Sequence, residues 1–215
     1  MTAAGADTRQ ELTDEAPRIA PGTAAEVGRV NYLIARAIGA AEGGGPPHLF
    51  TTFARHRRLF RRWLGFASAL MPGGLLPPAD TELVILRVAH DTGCEYEWRH
   101  HEHLALTAGV SAEEVQRVRE GHDASGWTRR QRLLLRAVDE LHAERAISSA
   151  LWSDLRPLMS DAELIELCFL IGHYEMLAMT LNSLRIEPDS LPDDPARLTR
   201  ALRSIVARRQ RKRRE

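Results

Sequence analysis

Apolar positions along this chain recur at spacings of three and four, and no pair of segments alternates with the period of two that strands require. Val27, Val30, Leu33, Ile34, Ala37 and Ile38 predict a helix over 23–40, closed by the GGGPP run at 43–47. Phe50, Phe53, Leu59, Phe60, Trp63, Leu64, Ala67 and Leu70 predict one long amphipathic helix over 48–71, with arginines opposite the aromatics. Pro72, Gly73 and Gly74 end it. The next segment, over 82–91, is apolar almost all round (Leu83, Val84, Ile85, Leu86, Val88, Ala89), so it is expected to be a central buried helix capped by Asp80 or Thr81. Thr92 and Gly93 permit a sharp turn into a helix over 94–108, for which Gly109 is a natural stop.

Three capping boxes punctuate the second half. Ser111 with Glu114 opens a short helix ending near Gly121. Thr128 with Gln131 opens one running to about 145, with Leu134, Leu135, Val138 and Leu141 inward. Ser160 with Glu163 opens an apolar helix over 162–184, and a short helix over 150–159 precedes it. The expected fold is all-α, a helical bundle around one dense core. Residues 1–22 read as a mobile arm, 23–188 as a single helical domain, and 189–215 as a Pro/Asp linker with a basic tail.

Composition adds exclusions. With 215 residues, 44% hydrophobic and 27% charged, this is the make-up of an ordinary soluble globular protein. Lys212 is the only lysine, which disfavours Schiff-base chemistry in the body of the fold. Cys94 and Cys168 fit neither a disulfide framework nor a zinc spacing, so a reducing cytoplasm is expected, with Cys168 a buried structural cysteine. The acidic N-terminal stretch does not read as a signal peptide. No apolar run approaches the roughly 18 residues of a membrane span. The terminal ARRQRKRRE lacks interleaved aromatics and reads as a solvated extension rather than a nucleic-acid surface. His90, His100 and His103 lie on other faces than His101 and no second cluster completes a ligand set, so no metal is expected. His173 and Glu175 interrupt the apolar surface of the last helix and read as satisfied core or interface groups.

The chemistry concentrates between Glu82 and His101. Cys94, Glu97 and His101 follow at spacings of three and four and share one helix face, onto which Glu82 can fold back. Cys94 and His101 are about 10 Å apart along the axis, too far for a direct thiolate–imidazolium pair, and Glu97 lies between them. A helix start favours a thiolate at Cys94, whereas the Glu97 carboxylate opposes it, so the spacing leaves the thiol's acidity open.

Glu82, then Cys94 twelve residues on, Glu97 three further and His101 four beyond resemble the active-site pattern of the carboxymuconolactone decarboxylase/AhpD superfamily, a Glu, a CxxC pair and a His. ELVILRVA, CEYEWRHH, AGVSAEEV and the upstream HLFTTFARH look like the same family. This resemblance implies an AhpD-like helical bundle, a homo-oligomer such as a trimer or hexamer, and a small-molecule substrate with no organic cofactor or metal. It also marks a departure: Glu97 stands where the second cysteine of the CxxC belongs. What carries over is an acid–base set of Glu82, Glu97 and His101 with Cys94 beside it, and Trp98 as a pocket wall. The expected activity is proton transfer or decarboxylation on a small carboxylated or lactone substrate. A peroxidase using Cys94 alone and a non-catalytic ligand-binding oligomer are the alternatives.

Overall fold

The computed structural model describes residues 16–41 and 44–189, and every regular element among them is helical. Residues 1–15 of the arm expected over 1–22, and 190–215 of the linker and tail expected over 189–215, lie outside the described residues. Contacts divide the described chain into two compact units, 16–66 with 179–189, and 67–178.

The first unit contains α1 (Ala24–Val27), α2 (Arg29–Ala41), α3 (His48–Phe53) and the start of α4 (Arg57–Leu70). The helix expected over 23–40 is thus broken at Gly28, whose φ of 87° no side-chain-bearing residue adopts cheaply. That break resets the phase of α2. Asn31 and Ala35 are buried, while Val30 and Leu33 of the expected inner face are 65% and 60% exposed. The helix expected over 48–71 is likewise two. A turn at Ala54–His56 folds α4 back so that Phe53 meets Trp63 with ring centroids 5.2 Å apart, around buried Val27, Ala54 and Phe60. Residues 16–22 are tied down rather than loose: Arg18 N–H donates to the Leu184 carbonyl at 3.0 Å and Gly22 N–H to that of Thr51 at 3.3 Å.

The second unit is built on α5 (Pro78–Thr92), which packs against α6 (Glu95–Ala108), the 3-10 turn Val118–Glu120 after α7 (Ala112–Arg117), and α8 (Arg129–Glu144). α5 begins a turn earlier than expected. Pro78 occupies its first turn, where the missing N–H is no loss, and Asp80 and Thr81 lie inside the helix instead of capping it. Asp80 instead pairs with Arg130 at 2.7 Å. As its all-round apolarity implies, α5 is buried from Asp80 to Leu86 and again at Val88 and Ala89. Leu83, Leu86 and Ala89 join Ala105, Val115, Trp127 and Leu135 in one cluster. The capping boxes at Ser111 and Thr128 form as expected, as does the stop at Gly109 with φ 97°.

After α9 (Ser149–Leu155) comes α10 (Asp161–Leu184), which contributes to both units. Among the described residues it is the helix long and apolar enough to cross a membrane, with mean hydropathy 1.5 over its most apolar window. Burial in the fold accounts for that composition, since 56% of the window is inside the protein and Glu166 accepts the Leu75 and Leu76 N–H groups at 2.5 and 2.9 Å. Cys168, on the same helix, is half-buried rather than buried.

The α5–α6 turn sets everything that follows. Gly93 sits at φ 63°, ψ 32°, and Cys94 N–H returns to the Ala89 carbonyl at 2.9 Å, so the two helices fold back on each other within two residues. Asn tolerates this left-handed conformation and a β-branched residue does not. Gly93→Asn should therefore lower stability only slightly and Gly93→Val by about 1–2 kcal/mol or more. Denaturant midpoints measure the difference, and equal losses would contradict the turn geometry.

Candidate active site

The hairpin brings Glu82 of α5 against His101 of α6. His101 Nδ1 lies 2.7 Å from Glu82 Oε2, and both side chains are almost wholly buried. A carboxylate so placed fixes the ring's orientation and supports the tautomer with its proton on Nδ1, toward Glu82. From α10, Tyr174 closes over the pair, its ring edge-on to His101 with centroids 5.1 Å apart and its hydroxyl 3.9 Å from Met71 Sδ. Burial, and after it the charges of Glu82 and Glu97, push the Tyr174 hydroxyl well above its ordinary value, so the phenol stays neutral.

One turn before His101, Glu97 is 2% exposed, and both its carboxyl oxygens are buried with no hydrogen-bond partner among the described residues. Burial pushes its pKa well up from 4.5; the Cys94 thiol beside it pulls the other way, and the Glu175 charge adds to the rise. Burial thus favours the neutral, protonated form of Glu97 over the carboxylate. Cys94 is the N-cap of α6 and 1% exposed. Burial, then the neighbouring Glu97, push its thiol far up, which overrides the helix-start effect and leaves it a thiol.

The structure thus brings Glu82, Cys94, Glu97 and His101 together, and all four are covered within the single chain. Trp98 does not join them. It turns into the cluster of Leu83, Leu86 and Val118, with the Arg119 guanidinium 3.7 Å above its ring, because it stands about 100° round the helix from Glu97. His100, beside His101, is held down to about 3 by burial and by the neighbouring His101 and His103, so it is neutral. Among the described residues no group of three or more His, Cys, Asp and Glu is arranged to hold a metal ion. Sequence reasoning passed over Tyr174, although its flanking residues His173 and Glu175 were visible as breaks in an apolar surface.

Residues 57–140 match the carboxymuconolactone decarboxylase family. No curated protein matches the chain in sequence. Among solved structures, the chain resembles the alkylhydroperoxidase AhpD core of a peroxidase-related protein from Ralstonia eutropha JMP134, with TM-score 0.70 and 17% identity over 80% of this chain and 93% of that one. It also resembles a peroxidase-related protein from Silicibacter sp. TM1040, with TM-score 0.67 and 15% identity over 78% and 87% of the two chains. The debrominase Bmp8 is similar to the same degree, TM-score 0.67 and 15% identity over 87% and 97%. The family match includes the α5–α6 hairpin, and the fold around it is AhpD-like.

A carboxyl whose folded pKa is raised contributes stability that is full below its unfolded pKa and is lost as pH rises through the folded value. For Glu97 that window opens near 4.5 and extends upward. Between pH 5 and 8 the native chain should lose more stability than Glu97→Gln, by about 1.4 kcal/mol for each unit the pKa is raised within that range. Denaturant titrations at the two pH values test this; parallel pH slopes would remove the protonated Glu97.

Proposed function

We propose that the chain is a proton-transfer enzyme of the carboxymuconolactone decarboxylase type, acting without a cofactor on a small carboxylated or lactone substrate. The observation that carries this reading is Glu97, a buried carboxyl with no hydrogen-bond partner among the described residues, set one helical turn from a Glu82–His101 pair. Such a site holds an acid and a base whose environments differ, which is the requirement for delivering one proton while taking another. When the substrate carboxylate leaves as carbon dioxide, its bonding electron pair passes into the adjacent unsaturated carbonyl system. The resulting carbanionic carbon then takes the Glu97 proton. His101, oriented by Glu82, removes or returns the proton that moves during rearrangement of the double bond. Cys94 borders this space as a neutral thiol. A homo-oligomer belongs to the same reading, with the exposed row Ile165, Phe169 and Met176 on α10 as the surface it would cover.

The chemistry of the relatives is not uniform: Bmp8 is a debrominase, and a cysteine-to-alanine variant of it has been captured with 2,3,4-tribromopyrrole. Thiol chemistry is nonetheless disfavoured here, because a Cys94 held as a thiol and lacking a neighbouring cysteine has neither a ready nucleophile nor a resolving partner. One observation favours a second reading. The whole group is covered within the chain, as suits a non-catalytic ligand-binding protein whose polar cluster holds the core together.

Turnover of a panel of small lactone acids, followed by carbon dioxide release and solvent-deuterium incorporation, separates the readings. Glu82→Gln and His101→Ala are expected to lower turnover by roughly 10²-fold or more, and Cys94→Ser to leave most of it. Loss on Cys94→Ser alone, with peroxide-trapped sulfenic acid at that residue, would overturn the acid–base reading. No turnover with any substrate would favour the ligand-binding one.

A further inference from the structure

Charge is unevenly divided along this chain, although the formal total is zero. Residues 16–66 hold eight arginines against two acids, whereas residues 67–178 hold ten arginines against eighteen acids. The positive excess is densest at the start of α4. Arg57, Arg58, Arg61 and Arg62 fall within its first six residues, and no acid occurs anywhere in the helix. This is the end at which the helix dipole disfavours cations. Arg57 with Arg61, and Arg58 with Arg62, also set like charges four residues apart, where they repel. Two of the four have partners within the protein. Arg57 donates to the Ala25 and Glu26 carbonyls at 3.3 and 2.9 Å, and Arg61 to the Arg57 carbonyl at 3.3 Å. Arg58 and Arg62 are exposed and make no hydrogen bond or ion pair among the described residues. Beside them Leu59 is 59% exposed, and Phe66, two turns further along the same edge of the helix, is 41% exposed.

We propose that the outer face of α4 docks on an anionic lipid membrane. The guanidinium groups of Arg58 and Arg62 meet headgroup phosphates, which their planar forks match in geometry as well as charge. Leu59 and Phe66 reach past them into the boundary between headgroups and acyl chains. A membrane surface offers both chemistries side by side. A nucleic-acid backbone would use the arginines and leave the leucine in water. The ARRQRKRRE run at 207–215 is a second basic element, and its charge adds to the attraction toward an extended anionic surface. Segment 67–178, which carries Glu82, Glu97 and His101, has the opposite excess and is repelled by the same surface, which leaves the basic helix as the part that docks. A contact made by a few charges and two apolar side chains is peripheral, reversible and weakened by salt.

Co-sedimentation of the full chain with lipid vesicles tests this. Binding is expected to vesicles of phosphatidylcholine mixed with phosphatidylglycerol and not to phosphatidylcholine alone, and it is expected to weaken as salt is raised. The double variant Arg58→Gln/Arg62→Gln, with the basic tail intact, is expected to bind at least about tenfold more weakly. Arg129→Gln/Arg132→Gln removes the same charge from exposed positions of α8 and is expected to bind as the native chain does. Leu59→Ser is expected to lower binding by roughly threefold. Unchanged circular dichroism shows that each variant is folded. Absence of binding to the mixed vesicles would overturn the proposal. Native-like binding by the Arg58/Arg62 variant would assign the attraction to the tail and overturn it too, as would an equal loss in the α8 variant. Unaffected binding by Leu59→Ser, or a chain that holds double-stranded DNA through Arg58 and Arg62 and ignores vesicles, would overturn the lipid surface in favour of another polyanion.

Discussion

An ionised carboxylate buried with no hydrogen-bond partner costs several kcal/mol, so a carboxyl in that position keeps its proton or acquires a partner. Glu97 is such a group: 2% exposed, with both oxygens lacking a partner among the described residues. Its neighbours respond to it. The Cys94 thiol is driven further from ionisation and the Tyr174 hydroxyl stays neutral. His101 meanwhile bonds to the other acid, Glu82, at 2.7 Å. Two glutamates on two packed helices thus have opposite surroundings, one with a close polar partner and one with none. That asymmetry is the physical basis for assigning them different roles.

Geometry makes the asymmetry possible. Gly93 turns the chain between α5 and α6 in two residues, which puts Glu82, in the first half of α5, opposite His101, in the middle of α6. α10 then supplies the third wall. Its Tyr174 sits edge-on to His101, while the adjacent Glu175 looks the other way, toward His142 and Arg145. A single helix therefore seals the site with one residue and contacts a partly exposed imidazole with the next.

Much of this was legible from residue spacing. The all-α class, the buried α5, the stop at Gly109 and the capping boxes at Ser111 and Thr128 depend on local chemistry, and local chemistry is written in the sequence. The CxxC position occupied by Glu97 was equally plain. Errors came where a backbone break or a tertiary choice intervened. Gly28 split one helix and rotated the face of α2, the turn at Ala54–His56 split another, and Pro78 drew the start of α5 back past its expected caps. Trp98 was expected as a pocket wall, yet one residue of helix rotation from Glu97, about 100°, sends it into the apolar cluster instead. Tyr174 and the Glu175–His142 contact lie far from the hairpin in sequence, and no periodicity could assign them to it.

The central claim is that, in the resting protein, the proton resides on Glu97 and Cys94 is un-ionised. Neutron diffraction from deuterium-exchanged crystals grown near neutral pH locates these atoms directly. The expected result is a deuteron on one Glu97 carboxyl oxygen, a second on His101 Nδ1 toward Glu82, and a third on Cys94 Sγ. A bare Glu97 carboxylate beside a Cys94 thiolate would contradict the account.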